Sequence, residues 1–155
     1  MKVRDIMTQD VVSVKRDTSI NAIAKVMGAR DISGVPVVDD ESRVVGVITE
    51  LDLIVRNTRL DMPHFVQILD LGVIPLELPG HYQERLKHML GMRAEDVMSR
   101  EVVTIGPDDG VEALAELMVK RRVNPVPVVE NGKLIGIVSR ADLIDMMAAE
   151  MSGEG

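Results

Sequence analysis

Two short stretches of this chain carry groups that could meet a small molecule. Thr49-Glu50-Leu51-Asp52 and Ser139-Arg140-Ala141-Asp142 each place a hydroxyl three residues ahead of a carboxylate. Each follows an apolar run, Val44–Ile48 or Leu134–Val138, that reads as a strand, and each opens a stretch that reads as a helix. A hydroxyl at a strand end and a carboxylate one turn into the next helix can both face the crevice above the strand's C-terminal edge. In α/β sheets that crevice holds ligands. A carboxylate there can accept two hydrogen bonds from the vicinal hydroxyls of a ribose, and the adjacent helix start offers free N–H groups to an anion. The same spacing also serves a plainer purpose. Hydroxyl and acid three apart form a capping box, in which each satisfies a backbone N–H of the helix end. One copy alone argues for capping; two copies in matching surroundings argue for more.

The surroundings do match. Asp5-Ile6-Met7-Thr8 aligns with Asp96-Val97-Met98-Ser99 at an offset of 91 residues, the distance from Asp5 to Asp96. Val11–Val14 meets Val102–Ile105, and Ile20, Ala22, Ala24 and Met27 meet Val111, Ala113, Ala115 and Met118. Val35-Pro36-Val37-Val38-Asp39 meets Val126-Pro127-Val128-Val129-Glu130. The offset drops to 90 at Gly46 and Gly136, so the second copy lost one residue in the intervening turn. Such a match marks an internal duplication.

Each copy predicts the order β-α-β-β-α. Val11–Val14 and Val102–Ile105 are short β-branched strands. Asp17-Thr18-Ser19 and Pro107-Asp108-Asp109 carry helix-start residues. Ile20, Ile23, Ala24 and Met27 share one helical face, as do Val111, Leu114, Ala115 and Met118. Val35–Val38 and Val126–Val129 read as buried strands. Turns at Asp39–Ser42 and Glu130–Lys133 lead to the returning strands, with Asn131-Gly132 the sharper hairpin signal. The closing helices put Leu53-Ile54 and Leu143-Ile144 inward. Pro36 and Pro127 cannot donate to a ladder, so they belong at a strand start or edge, where they leave backbone groups free for a ligand.

Residues 1–56 thus form one repeat, 93–150 the second, and 57–92 an insertion. The insertion is broken by Pro63, Gly72, Pro75, Pro79 and Gly80, and then sets Tyr82, Leu86, Met89 and Leu90 on one helical face. Residues 151–155 are expected to fray.

Composition excludes several classes. The net charge is −7 and aromatics make up 1% of the residues, which argues against a nucleic-acid surface. No apolar run approaches the roughly 20 residues of a membrane span. The absence of cysteine excludes disulfides, thiolate metal sites and thiol nucleophiles, and fits the reducing cytoplasm. His64, His81 and His88 form no metal-ligand pattern, and no nucleophile–base constellation is present, so no enzyme is expected.

The DIMT/DVMS openings, VVSV/VVTI, GVPVVD/PVPVVE and the G-h-h-[TS]-x-x-D endings resemble a tandem pair of cystathionine β-synthase (CBS) domains, a Bateman module. The resemblance implies an α/β (α+β) fold in which two β-α-β-β-α repeats pack with pseudo-twofold symmetry, leaving a partly helical insertion outside. It implies a non-catalytic regulatory module that binds AMP, ADP, ATP or S-adenosylmethionine in clefts between the repeats, with magnesium only as an ion carried by the ligand. Asp52 and Asp142 take the family's ribose-binding place, with Thr49 and Ser139 as the hydroxyls before them. Gly34, Val35 and Pro36, with Pro125, Val126 and Pro127, take the adenine-slot positions, and Ser13 or Thr104 adds a polar contact. The family often dimerises, so a homodimer that signals to a regulated protein is expected. The alternative is a structural or dimerisation module whose clefts stay empty.

The copies differ beside the acid. Residue 140 is Arg and residue 50 is Glu, so the Asp142 cleft is expected to favour a phosphorylated ligand. Arg30, Arg121 and Arg122, at the ends of the first helices, are further candidates for phosphate. Pro125 in place of Gly34 stiffens one wall and removes a donor.

Overall fold

The computed structural model describes residues 1–55 and 92–153. The expected helix at Tyr82–Leu90, Phe65 and the three histidines lie outside the described residues.

The first repeat contains α1 (Val3–Ile6), α2 (Ile20–Arg30), β1 (Gly34–Val38), β2 (Val44–Thr49) and α3 (Glu50–Val55). The second contains α4 (Ala94–Val97), α5 (Val111–Arg121), β3 (Val126–Glu130), β4 (Lys133–Val138) and α6 (Arg140–Gly153). β1 pairs antiparallel with β2, from Gly34 opposite Thr49 to Val38 opposite Val44. β3 pairs with β4 in the same way, from Val126 opposite Val138 to Glu130 opposite Lys133. Both hairpins carry an irregularity at the same place, Val37/Val38 and Val128/Val129. Asn131 and Gly132, at φ 53° and 80°, make the second turn, as Asn-Gly predicts. Asp39 shapes the first by accepting from the N–H groups of Glu41 and Arg43, both at 2.9 Å.

The expected first strands shrink to one rung each. Val14 N–H donates to Pro36 O at 3.0 Å and Val38 N–H returns a bond to Val14 O at 2.9 Å. Ile105 does the same between Pro127 O and the Val129 N–H, at 3.1 and 2.9 Å. The preceding rung of a parallel ladder would need the N–H of residue 36 or 127. Both are proline, so pairing stops there. The prolines leave the β1–β2 and β3–β4 ladders intact because their missing donor faces the other side.

The helix starts also differ in detail. Ser19 caps α2, accepting from Ala22 N–H at 3.2 Å. In α5 that position is Gly110, which has no side chain to cap with, and the neighbouring Asp109 closes the preceding turn by accepting from Gly106 N–H at 2.8 Å. Ile20, Ile23, Ala24 and Met27 are all buried, as their spacing predicts. Val111, Leu114 and Met118 are buried too, whereas Ala115 is half-buried. Leu53 is fully buried, but Ile144 is 64% exposed rather than inward. α6 runs on to Gly153, through the first three residues of the stretch expected to fray.

The two repeats exchange their opening segments. Thr8 pairs with Ile137 of β4, and Ser99 pairs with Val47 of β2. Val3 N–H donates to Asp109 O at 2.9 Å, and Ala94 N–H to Thr18 O at 2.8 Å. One core therefore combines Ile20, Ile23, Val35, Val37, Ile48 and Leu53 with Ala94, Val97 and Met98 of the second copy's opening. The other combines Leu114, Val126, Val128 and Val138 with Val3 of the first, and Ile6 and Met7 pack against it. The exchange explains the glycine in each G-h-h-[TS] motif. A Cβ on Gly46 would collide with the Met98 side chain, and one on Gly136 with Met7. The two motifs that open and close a repeat fit each other across the seam, not within a copy.

Candidate functional site

The capping geometry forms in full. Thr49 N–H donates to Asp52 Oδ2 at 2.9 Å, and Asp52 N–H to Thr49 Oγ1 at 3.2 Å. Ser139 N–H donates to Asp142 Oδ2 at 2.7 Å, its hydroxyl donates to the same oxygen at 3.1 Å, and Asp142 N–H reaches Ser139 Oγ at 3.4 Å. Both acids are half-buried. In each, the cap takes Oδ2 and leaves Oδ1 without a hydrogen bond among the described residues. Capping thus orients the carboxylate without exhausting it: one oxygen is fixed to the helix end, and the other keeps its capacity to accept.

The two acids then part company. Asp52 and Thr49 line a cavity of about 750 Å³ between the repeats, a size typical of small-molecule sites. The opposite wall comes from the second repeat: Val103, Ala115, Met118, Val123, Asn124 and Pro125. Asp142 lines a separate depression of about 500 Å³ with Met1, Asp5, Ile6, Asp145 and Glu150, where α1 meets α6. Of the residues read as a site from sequence, the cavity gathers Thr49, Asp52, Pro125 and Arg140. Ser13, Gly34, Val35, Pro36, Thr104, Val126, Pro127, Ser139 and Asp142 are not part of its lining.

Local geometry accounts for the sorting. Successive side chains of an extended segment point to opposite sides. Val103 faces the cavity and Thr104 is exposed instead. β1 is buried along its whole length, so Val35 and Pro36 face packing. Gly34 sits against its own counterpart: a Cβ on it would lie 2.7 Å from Pro125 Cδ. Residues related by the repeat touch only near the symmetry axis, so the axis passes between Gly34 and Pro125. Two further related pairs, Ser33 with Asn124 and Glu50 with Arg140, line the same cavity. Arg140 follows Ser139 in sequence, yet it stands on the wall of the Asp52 cavity, not on that of the Asp142 depression.

Three polar contributors had little signal in the sequence. Asn124 accepts from Arg140 N–H at 2.8 Å through its side chain, whereas the first repeat makes the equivalent bond from Glu50 N–H to Ser33 O at 2.9 Å. Glu101 precedes the apolar run and reads as surface. Arg122 is the C-cap of α5 at φ 52°, a left-handed turn that redirects the chain into the cavity wall. Its charge was visible as a candidate; its direction was not. Among the described residues no cluster of three His, Cys, Asp or Glu could hold a metal ion, and no helix is long and apolar enough to cross a membrane.

The chain matches the family model described as CBS domain over residues 3–56 and again over 94–149. An uncharacterized protein of Methanocaldococcus jannaschii is 32% identical over 154 residues, covering 95% of this chain and 91% of the relative. The crystal structure of the CBS domain of a CBS domain containing membrane protein from Sphaerobacter thermophilus is similar at a TM-score of 0.74 and 32% identity, over 94% of this chain and 86% of that one. The crystal structure of CBSX2 in complex with AMP is similar at a TM-score of 0.71 and 24% identity, over 97% and 98% of the two chains. With its paired hairpins, exchanged openings and two matched regions, this chain belongs to the CBS domain family.

Proposed function

We propose that the chain is a non-catalytic regulatory module that binds an adenosyl ligand in the Asp52 cavity and passes its occupancy to a partner. The observation that carries this is the half-used carboxylate of Asp52 on the wall of a cavity built from both repeats. Oδ1 can accept from a ribose diol, and the Val103, Ala115, Met118 and Pro125 surfaces suit the flat face of a base. The AMP held by the similarly folded CBSX2 supports the ligand class. A ligand touching both repeats stabilises whichever relative arrangement it binds better, which is how occupancy becomes a signal.

The test is thermal denaturation of the chain with adenosine, AMP, ADP, ATP and S-adenosylmethionine, with and without magnesium. Binding to the folded state raises the midpoint. A rise of several degrees that Asp52→Ala abolishes is the expected result; no rise with any of the five overturns the reading. The second reading, a structural or dimerisation module with no ligand, rests on the completed caps and on the exposed Ile144, Met147 and Met151 along α6. It would be the reading left standing by that negative outcome.

A further inference from the structure

We infer that Met7 is a modification site: a peroxide-class oxidant converts its thioether to the sulfoxide, and that conversion loosens the hold of the first repeat's opening on the second repeat.

The duplication gives the chain two methionines in equivalent seats. Met98 lies against Gly46 and Met7 against Gly136, each so close that a Cβ on the glycine would collide with it. Both sit where backbone bonds tie an opening to the other repeat. Thr8 and Ile137 exchange bonds at 2.9 and 3.0 Å, and Ser99 and Val47 at 3.0 and 3.1 Å. The seats differ in access. Met98 is 5% exposed and belongs to the first core, whereas Met7 is half-buried at the rim of the second. Tight packing and access therefore meet at Met7 and not at its counterpart. Met1, Met147 and Met151 are exposed, so oxygen on their sulfur stays in water. Neither Met7 nor Met98 lines the Asp52 cavity, so the site stands whatever that cavity binds.

The step needs only the peroxide. The sulfur lone pair attacks one peroxide oxygen and the O–O bond breaks. The displaced hydroxide takes the proton of the transferred hydroxyl and leaves as water, so the thioether is oxidised and the peroxide reduced. The product is a polar acceptor where an apolar chain stood. On the Gly136 side it has no room, and the neighbouring core side chains, Leu114, Val126 and Val138 among them, carry no donor for it. A buried acceptor without a partner costs more than the contact it replaces, so the opening moves outward to wet the oxygen. The Thr8–Ile137 bonds go with it, while Met98 stays reduced and holds the other seam. The two repeats then remain joined on one side only.

The experiment treats the intact chain with dilute hydrogen peroxide and follows sulfoxide formation by peptide mass spectrometry, with thermal melts and amide hydrogen exchange on the same samples. Met1, Met147 and Met151 are expected to react first and leave the melting midpoint unchanged. Met7 follows, on the order of tenfold or more faster than Met98, because a buried sulfur reacts only when the structure opens. Its oxidation is expected to lower the midpoint by about 2–4 °C or more. Exchange speeds up at Thr8 and Ile137 and holds at Val47 and Ser99. Methionine sulfoxide reductases reverse both changes. Met7→Leu, which conserves volume, keeps its midpoint before and after peroxide although every other methionine is still present. Met7→Gln, polar and unoxidisable, lowers the midpoint with no peroxide added. Met98 reacting as fast as Met7, a Met7 sulfoxide that shifts neither midpoint nor exchange, or an equal peroxide-induced loss in Met7→Leu would each overturn the inference.

Discussion

The two halves of this chain share an architecture and differ in what that architecture presents. Backbone bonds repeat almost rung for rung: Ile20 N–H to Met92 O at 2.8 Å answers Val111 N–H to Met1 O at 3.2 Å. The capped acids repeat as well. What does not repeat is the wall facing each acid. Asp52 looks across a cavity lined by the second repeat, while Asp142 lies in a depression beside α1. A duplicated fold fixes the frame, and single substitutions near the axis, Gly34 against Pro125 and Glu50 against Arg140, make the surroundings of its two halves unlike.

The sharpest way to break the comparison is in the cores. Leu53→Ala removes a fully buried side chain and is expected to lose about 2–5 kcal/mol in urea denaturation. Leu143→Ala, at a half-buried position on the cavity wall, is expected to lose clearly less. Equal losses would show that the two sides are packed alike.

Gly46→Val and Gly136→Val probe the shared part instead. Each new side chain meets a methionine from the other repeat, so each is expected to lose about 1–3 kcal/mol of stability. Pairing Gly46→Ala with Met98→Ala should couple by more than 0.5 kcal/mol in a double-mutant cycle, because the groups touch. Additive losses would mean that the glycine serves some other need.

Asp52→Ala and Asp142→Ala separate capping from binding. Both remove a cap, so both should lower stability similarly, by about 1 kcal/mol. Only Asp52→Ala should lower ligand affinity, by about tenfold or more, in isothermal titration. A larger loss from Asp142→Ala would move the site to the other half.

The smallest effect is electrostatic. Arg4 donates to Asp108 at 2.9 Å and, with Lys2 at 3.5 Å, holds the Asp108 carboxyl below its ordinary value of 3.8. A carboxyl lowered in the folded state stabilises fully above its ordinary value and loses that contribution as pH falls through the lower folded one. The counterparts, Glu95 and Asp17, are both acids and cannot form this pair. Arg4→Gln should therefore cost a little stability near neutrality and nothing at the acid end of a pH series of melts, whereas Glu95→Gln should show no such loss.

Much of this was legible in the residues. The duplication, the helical faces of α2 and α5, the Asn-Gly turn and the capped acids all follow from local chemistry. Three things did not. The first strands shorten because of prolines that lie far from them in sequence. The openings trade places, which a repeat offset cannot reveal, since Met7 stands in the same relation to Gly46 and Gly136 by motif alone. Arg140 and Arg122 line the Asp52 cavity through directions of approach set by the axis and by a left-handed turn. Identity of a residue is local; whom it faces is not.

The traded openings bear on how such a chain could arise. A half-length polypeptide carrying one opening, one hairpin and two helices would bring a methionine for which it has no glycine of its own to cover, and a glycine with no methionine of its own above it. Two copies would complete each other reciprocally. An ancestor of this kind is whole only as a pair of identical subunits, and gene fusion then joins what association had already assembled, freeing each former subunit to diverge at the one place where they meet.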